Sequence, residues 1–111
     1  MRTVNSLCAL ACAAFLAALP AAASANSDEL RLASLAATCA NCHGTRGIAV
    51  PGSVVPGLAG QPAAYLAEQM KGFKSGARPA TVMHQISKGY SDTQIDAIAA
   101  YYAKQAATQK P

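Results

Sequence analysis

The pentapeptide CANCH, residues 39–43, constrains this chain more than any other stretch. It sets two thiols three positions apart and an imidazole directly after the second. Two thiols at that separation lie near each other on a helical turn. The rest of the chain decides what chemistry such a triplet serves.

The triplet falls early in the exported part of the protein. Residues 1–25 have the form of an export signal that is cleaved. Arg2 is the only charge before an apolar run from Leu7 to Leu19, Pro20 breaks any helix, and Ala23-Ser24-Ala25 supplies the small residues of a cleavage site. The run is short for a membrane span. Cys12 is a poor lipid-attachment site, because Ala9 stands where a large aliphatic residue is wanted. Cleavage leaves 86 of the 111 residues, expected to form one domain over 26–111. It also removes two of the four cysteines, so no disulfide framework remains beyond Cys39 and Cys42. With no Trp and Phe73 its sole Phe, a domain of this size has little core of its own. A metal, a disulfide or a large apolar prosthetic group would supply what is missing. Without Arg2 there are eight Lys and Arg against five Asp and Glu, a net charge of +3. So weak and scattered a charge leaves no footprint for nucleic acid, and it suits docking on an acidic protein surface.

The pattern along the mature chain is all-α. Ser27 followed by Asp28 and Glu29 predicts a helix start, with the helix running to about Thr38 and Leu32, Leu35 and Ala36 on one face. Residues 44–61, GTRGIAVPGSVVPGLAGQ, carry five glycines and two prolines and no helical period, so a long irregular loop is expected. A loop of that length in a small domain needs a reason, and wrapping a ligand is one. Pro62 opens the next helix, whose faces carry Tyr65, Leu66, Gln69, Met70 and Phe73, and Gly76 stops it. A short helix over TVMHQISK ends at Gly89. Ser91 with Gln94 three residues on forms a capping box for the last helix, with Ile95, Ile98, Ala99 and Tyr102 as its apolar stripe. The tail from about Ala107 is expected to fray. No stretch shows a convincing strand alternation. Three main helices, one short helix and one long loop result.

That frame narrows the chemistry. A thioredoxin-like dithiol needs a preceding strand and a sheet, and neither is present. Zinc needs four ligands. Cys39, Cys42, His43 and His84 make four on paper, but adjacent Cys42 and His43 are poorly spaced for one tetrahedral ion. Covalent haem attachment fits better. Each thiol can add to one porphyrin vinyl group, and the following imidazole becomes the proximal iron ligand. The export signal agrees, since such haems are attached outside the cytoplasm.

The segments CANCHG, VPGLAGQPAAYLAEQM and MHQISKGYSDTQIDAIAAYYAKQ together resemble a class I c-type cytochrome. The likeness is to the short domains found singly in flavocytochrome c sulfide dehydrogenases and doubled in tandem dihaem cytochromes. It implies a small class I cytochrome c fold around one covalent haem c. It further implies that Cys39 and Cys42 carry the thioethers and His43 the proximal bond. The Pro56 carbonyl would accept a hydrogen bond from the ligating imidazole, fixing the ring and tuning its basicity, and Leu58 would pack on the haem. Met83 matches the sixth ligand of the family. Met70, in a helical pattern beside Leu66 and Phe73, is expected to be core filler. His84 is expected to be an exposed neighbour of Met83.

With both axial positions filled, such an iron passes single electrons and does not easily bind substrate, so the chain is expected not to be an enzyme by itself. A periplasmic electron carrier meeting redox protein partners is the leading expectation. The alternative is a haem subunit held tightly in a flavocytochrome c sulfide dehydrogenase or a similar oxidoreductase, beside a flavoprotein. A gas sensor or small peroxidase would need an open sixth position. No membrane association is expected after signal cleavage. The apolar segment GIAVPGSVV is expected to border the haem edge, with Lys71, Lys74, Arg78 and Lys88 as a basic rim.

Overall fold

The computed structural model describes residues 20–107, with side chains from residue 26 onward. Four α-helices appear in order: α1 (Pro20–His43), α2 (Ala63–Ser75), α3 (Met83–Lys88) and α4 (Asp92–Ala103). A 3-10 turn at Thr45–Gly47 follows α1. Among the described residues there is no strand, and no helix is long and apolar enough to cross a membrane. The chain divides at Arg31/Leu32 into two units. The described part of the first, residues 20–31, is helical throughout. The apolar run and most of the expected export signal lie outside the described residues, as does the tail beyond residue 107.

The first helix differs from expectation at both ends. It begins at Pro20, not Ser27, and it runs through His43 instead of stopping near Thr38. Pro is tolerated in the first turn, where its missing N–H costs nothing. Alanine-rich sequence then propagates the helix through Ser27. At the other end nothing in ATCANCH breaks a helix, so Gly44 ends it. Gly44 has φ 87, and a Cβ at that position would run into the Ile48 carbonyl. The triplet of interest thus rides the last turn of α1.

The remaining boundaries follow local chemistry. Pro62 caps α2 from just outside the helix, one residue earlier than its expected place, and Gly76 closes α2 in a left-handed conformation. The short helix begins at Met83, two residues later than TVMHQISK suggested. Ser91 accepts from the Gln94 N–H while the Gln94 side chain accepts from the Ser91 N–H, a complete capping box on α4.

In the unit from Leu32 onward the core is small. Ala36, Met70, Ile95, Ile98, Ala99 and Tyr102 are buried. Leu35, Cys39, Leu58, Leu66, Tyr90 and Tyr101 pack against the cluster of Ala36, Ile98 and Tyr102. Each fully buried Ile contributes about 1.5–3 kcal/mol of hydrophobic stabilisation. The loop 44–61 has no regular structure beyond its 3-10 turn, and it is tied inward by backbone. The Gly47 carbonyl accepts from Leu58 N (2.8 Å) and Ala59 N (3.1 Å), and Gly60 N donates to the Tyr102 carbonyl at 3.0 Å.

Candidate functional site

Helix α1 delivers Cys39, Cys42 and His43 on its final turn. Both thiols are free; Cys39 is half-buried against the core and Cys42 is exposed. Burial pushes the Cys39 thiol above its ordinary value, and the polar neighbours Thr38 and Tyr102 oppose that rise. His43 is buried, at 9 % exposure. Its Nδ1 lies 2.7 Å from the Pro56 carbonyl oxygen. A carbonyl only accepts, so Nδ1 carries the proton and donates. In the neutral ring Nε2 keeps its lone pair, as a metal donor requires. The irregular loop makes this possible by bringing Pro56 back over the end of α1.

Tyr102 holds the same helix about one turn before Cys39. Its hydroxyl donates to the Ala36 carbonyl at 2.6 Å, and its ring fills the space that the absent Gly47 side chain leaves. Two residues further, the Thr38 hydroxyl donates to the Leu35 carbonyl (3.1 Å) and sits 2.8 Å from Tyr90 Oη. Since Thr38 has spent its hydrogen, Tyr90 donates to it. Sequence reading placed Tyr102 in an apolar stripe and missed its hydroxyl; a Tyr where Phe would serve for packing was the available signal.

The remaining residues stand on other elements. Leu58 packs against the core cluster. Met83 is half-buried at the first position of α3, and Met70 is buried in α2. His84 is not exposed as expected. It is half-buried, and its Nδ1 is buried with no hydrogen-bond partner, as is the hydroxyl of Ser87. Val82, just before α3, and Ile86 within it are exposed instead.

The expected basic rim is also corrected. Lys71 pairs with Asp96 at 2.6 Å and Lys74 with Asp92 at 2.7 Å, bridging α2 and α4. The Lys74 partner holds the Asp92 carboxyl below its usual range. Arg78 lies 4.5 Å from the centroid of the Phe73 ring. Of the four cations only Lys88 enters none of these contacts.

The donor set fits a covalently held porphyrin. Two reduced thiols share one helical turn, and the next residue is an imidazole with a committed Nδ1. The exposed apolar side chains Val50, Val54, Val82 and Ile86 lie on the neighbouring irregular segments and α3. Among the described residues, helices without a strand and a long loop that returns over a Cys-Cys-His turn define a small haem-binding electron carrier.

Residues 32–105 match the cytochrome c family, and the chain belongs to it. Members bind covalently attached haem c, and this single domain takes one. Over 71 residues it is 41% identical to cytochrome c-554(548) of Halomonas halodenitrificans, covering 61% of this chain and 84% of that protein. It is 43% identical over 76 residues to the thiosulfate dehydrogenase electron acceptor of Thiomonas intermedia, covering 68% of this chain and 35% of that one. It is 40% identical over 68 residues to the cytochrome subunit of sulfide dehydrogenase of Chlorobaculum tepidum, covering 61% and 60% respectively. The chain therefore spans about a third of the first of these sulfur-linked relatives and three fifths of the second. The family transfers electrons and is not itself catalytic.

Proposed function

We propose that this chain is a periplasmic monohaem cytochrome passing single electrons between redox proteins, with His43 and Met83 as the residues that would ligate its iron. The reading rests on the 2.7 Å contact from His43 Nδ1 to the Pro56 carbonyl, placed directly after two free thiols. Bound haem c supplies one-electron chemistry, its iron moving between ferric and ferrous states. Cys39 and Cys42 hold the group covalently, Pro56 fixes the His43 ring and Leu58 packs beside it. Met83 offers a soft thioether, a donor that favours ferrous iron. Residues 1–25 act as the cleaved signal that carries the domain 26–111 across the inner membrane.

A second reading is favoured by the similarity to the sulfide dehydrogenase cytochrome subunit. In it the chain stays bound to a flavoprotein and accepts electrons from it. A flavoprotein that co-purifies under gentle conditions supports that reading, and a monomeric haem protein supports the shuttle.

The test is an absorption spectrum of oxidised protein from cells competent to attach haem. One haem per chain is expected, with the weak band at the red end that marks sulfur–iron ligation. Met83→Ala abolishes that band and Met70→Ala keeps it. The reverse result moves the ligand to Met70, and a colourless protein with both thiols free ends the reading.

A further inference from the structure

We propose that His84 Nδ1 and Ser87 Oγ hold one buried water between them, and that this water fixes the inner face of α3 and so positions Met83. The positioning role rests on the reading of Met83 as the sixth ligand.

Helix α3 is six residues long, and its N-cap, Val82, supplies no side-chain hydrogen bond. A helix so short does not hold itself in water and depends on what its inner face packs against. Met83 and His84 on that face are half-buried, and Ser87 has no exposed surface. The one fully buried side chain of α3 is therefore a hydroxyl, where alanine would pack without a polar atom. That hydroxyl has no hydrogen-bond partner, and neither has the buried His84 Nδ1. A serine inside a helix commonly returns its hydrogen to the carbonyl one turn back, and this one does not. Among the described residues these two are the buried side-chain polar atoms left unpaired, and both stand on the same short helix. Leaving such a group unpaired costs more than removing it outright.

Their placement supplies the remedy. Residues three apart on a helix are neighbours, with Cβ atoms about 5–6 Å apart, a gap that one water spans. Water both donates and accepts, so it serves the hydroxyl and either tautomer of the ring. Ser87 is enclosed by the protein itself, so its partner is small and internal, not a group entering an open cleft. Met83 lies four positions before Ser87 and shares its face. What anchors that face therefore anchors the backbone from which the thioether starts.

A crystal structure of the haem-loaded protein is expected to show one water within hydrogen-bond distance of both atoms. Ser87→Ala and His84→Leu are each expected to lower Tm. Each also lowers, by about fivefold, the concentration of added imidazole that displaces the sulfur–iron band. His84→Asn keeps a polar atom near the place of Nδ1 and stays within about twofold of wild type. The Ser87→Ala/His84→Leu double variant loses clearly less than the sum of the two, because both act through one water. A Ser87→Ala protein more stable than wild type, strictly additive losses, or a crystal without the water would overturn the proposal. Lower Tm with unchanged imidazole displacement would overturn the positioning role. A wild-type protein that holds the water but lacks the sulfur–iron band would instead overturn the Met83 reading beneath it.

Discussion

The Tyr102 hydroxyl on α4 donates to the Ala36 carbonyl on α1 at 2.6 Å, across 66 residues of chain. This one bond fastens the helix that carries Cys39, Cys42 and His43 to the helix that closes the domain. The same tyrosine accepts from Gly60 N through its own carbonyl, so the far end of the loop is tied to the same point.

Tyr102→Phe keeps the ring and removes the donor. Ala36 retains its bond within the helix, so the cost is that of one net hydrogen bond, about 1 kcal/mol, or about 5 °C in Tm. Thermal melts of the haem-loaded protein measure it. A loss under a degree would mean that the hydroxyl is equally satisfied by water.

Tyr102 is also expected to contribute to the alkaline limit of stability. Burial, ahead of smaller contributions from its neighbours, pushes the phenol above its ordinary value of 10.0. The folded protein therefore holds this proton more tightly than the unfolded chain. The resulting stabilisation is complete below the ordinary phenol value and is lost as pH rises through the higher folded one. Urea titrations at increasing pH are expected to show a steeper alkaline decline in wild type than in Tyr102→Phe. Parallel declines would assign the alkaline transition to other groups.

Gly47 and Gly52 both have positive φ, 78 and 80, but unequal surroundings. A Cβ on Gly47 would lie 2.6 Å from Tyr102 Cδ1 and 2.9 Å from Ala59 N, whereas one on Gly52 meets nothing within 4 Å. Gly52→Ala is expected to cost about 1 kcal/mol, the backbone penalty alone. Gly47→Ala adds displacement of the Tyr102 ring and totals about 3 kcal/mol or more. Equal losses in chemical denaturation would show that the loop moves aside freely.

The Ser91 cap gives a simpler test. Ser91→Ala removes the side-chain acceptor for Gln94 N and is expected to cost about 1 kcal/mol, and Ser91→Gly only a few tenths. An Ala variant as stable as wild type would mean that water replaces the hydroxyl fully.

That capping box was legible because its chemistry is local: two residues three apart specify it. Gly76 and Gly89 were legible as stops for the same reason, and the irregular loop announced itself by its glycines and prolines. Ser27 misled because a cap signal competes with helix propensity, and the alanines upstream outweigh it. Lys71 and Lys74 looked like a free basic rim because nothing in sequence shows that Asp96 and Asp92 face them from another helix. The Tyr102–Ala36 bond is hidden by the same separation. The attachment motif was plain to read, whereas the left-handed backbone of Arg46, with φ 53, was not, since only structure reveals it.

Cys39 and Cys42 share a motif but not an environment. Cys39 packs against the cluster of Ala36, Ile98 and Tyr102, while Cys42 is exposed. Replacing Cys39 by Ala removes a sulfur from packed surroundings as well as a covalent link, and replacing Cys42 removes chiefly the link. Single-thioether proteins are therefore expected to differ, with Cys39→Ala the less stable by about 1 kcal/mol, the scale of a small cavity. Denaturation of the two haem-loaded variants, matched for haem content, measures the gap. If Cys42→Ala proves the weaker, the covalent link at that position outweighs packing, and the α1–α4 contact around Tyr102 contributes less to holding the attachment turn than its geometry implies.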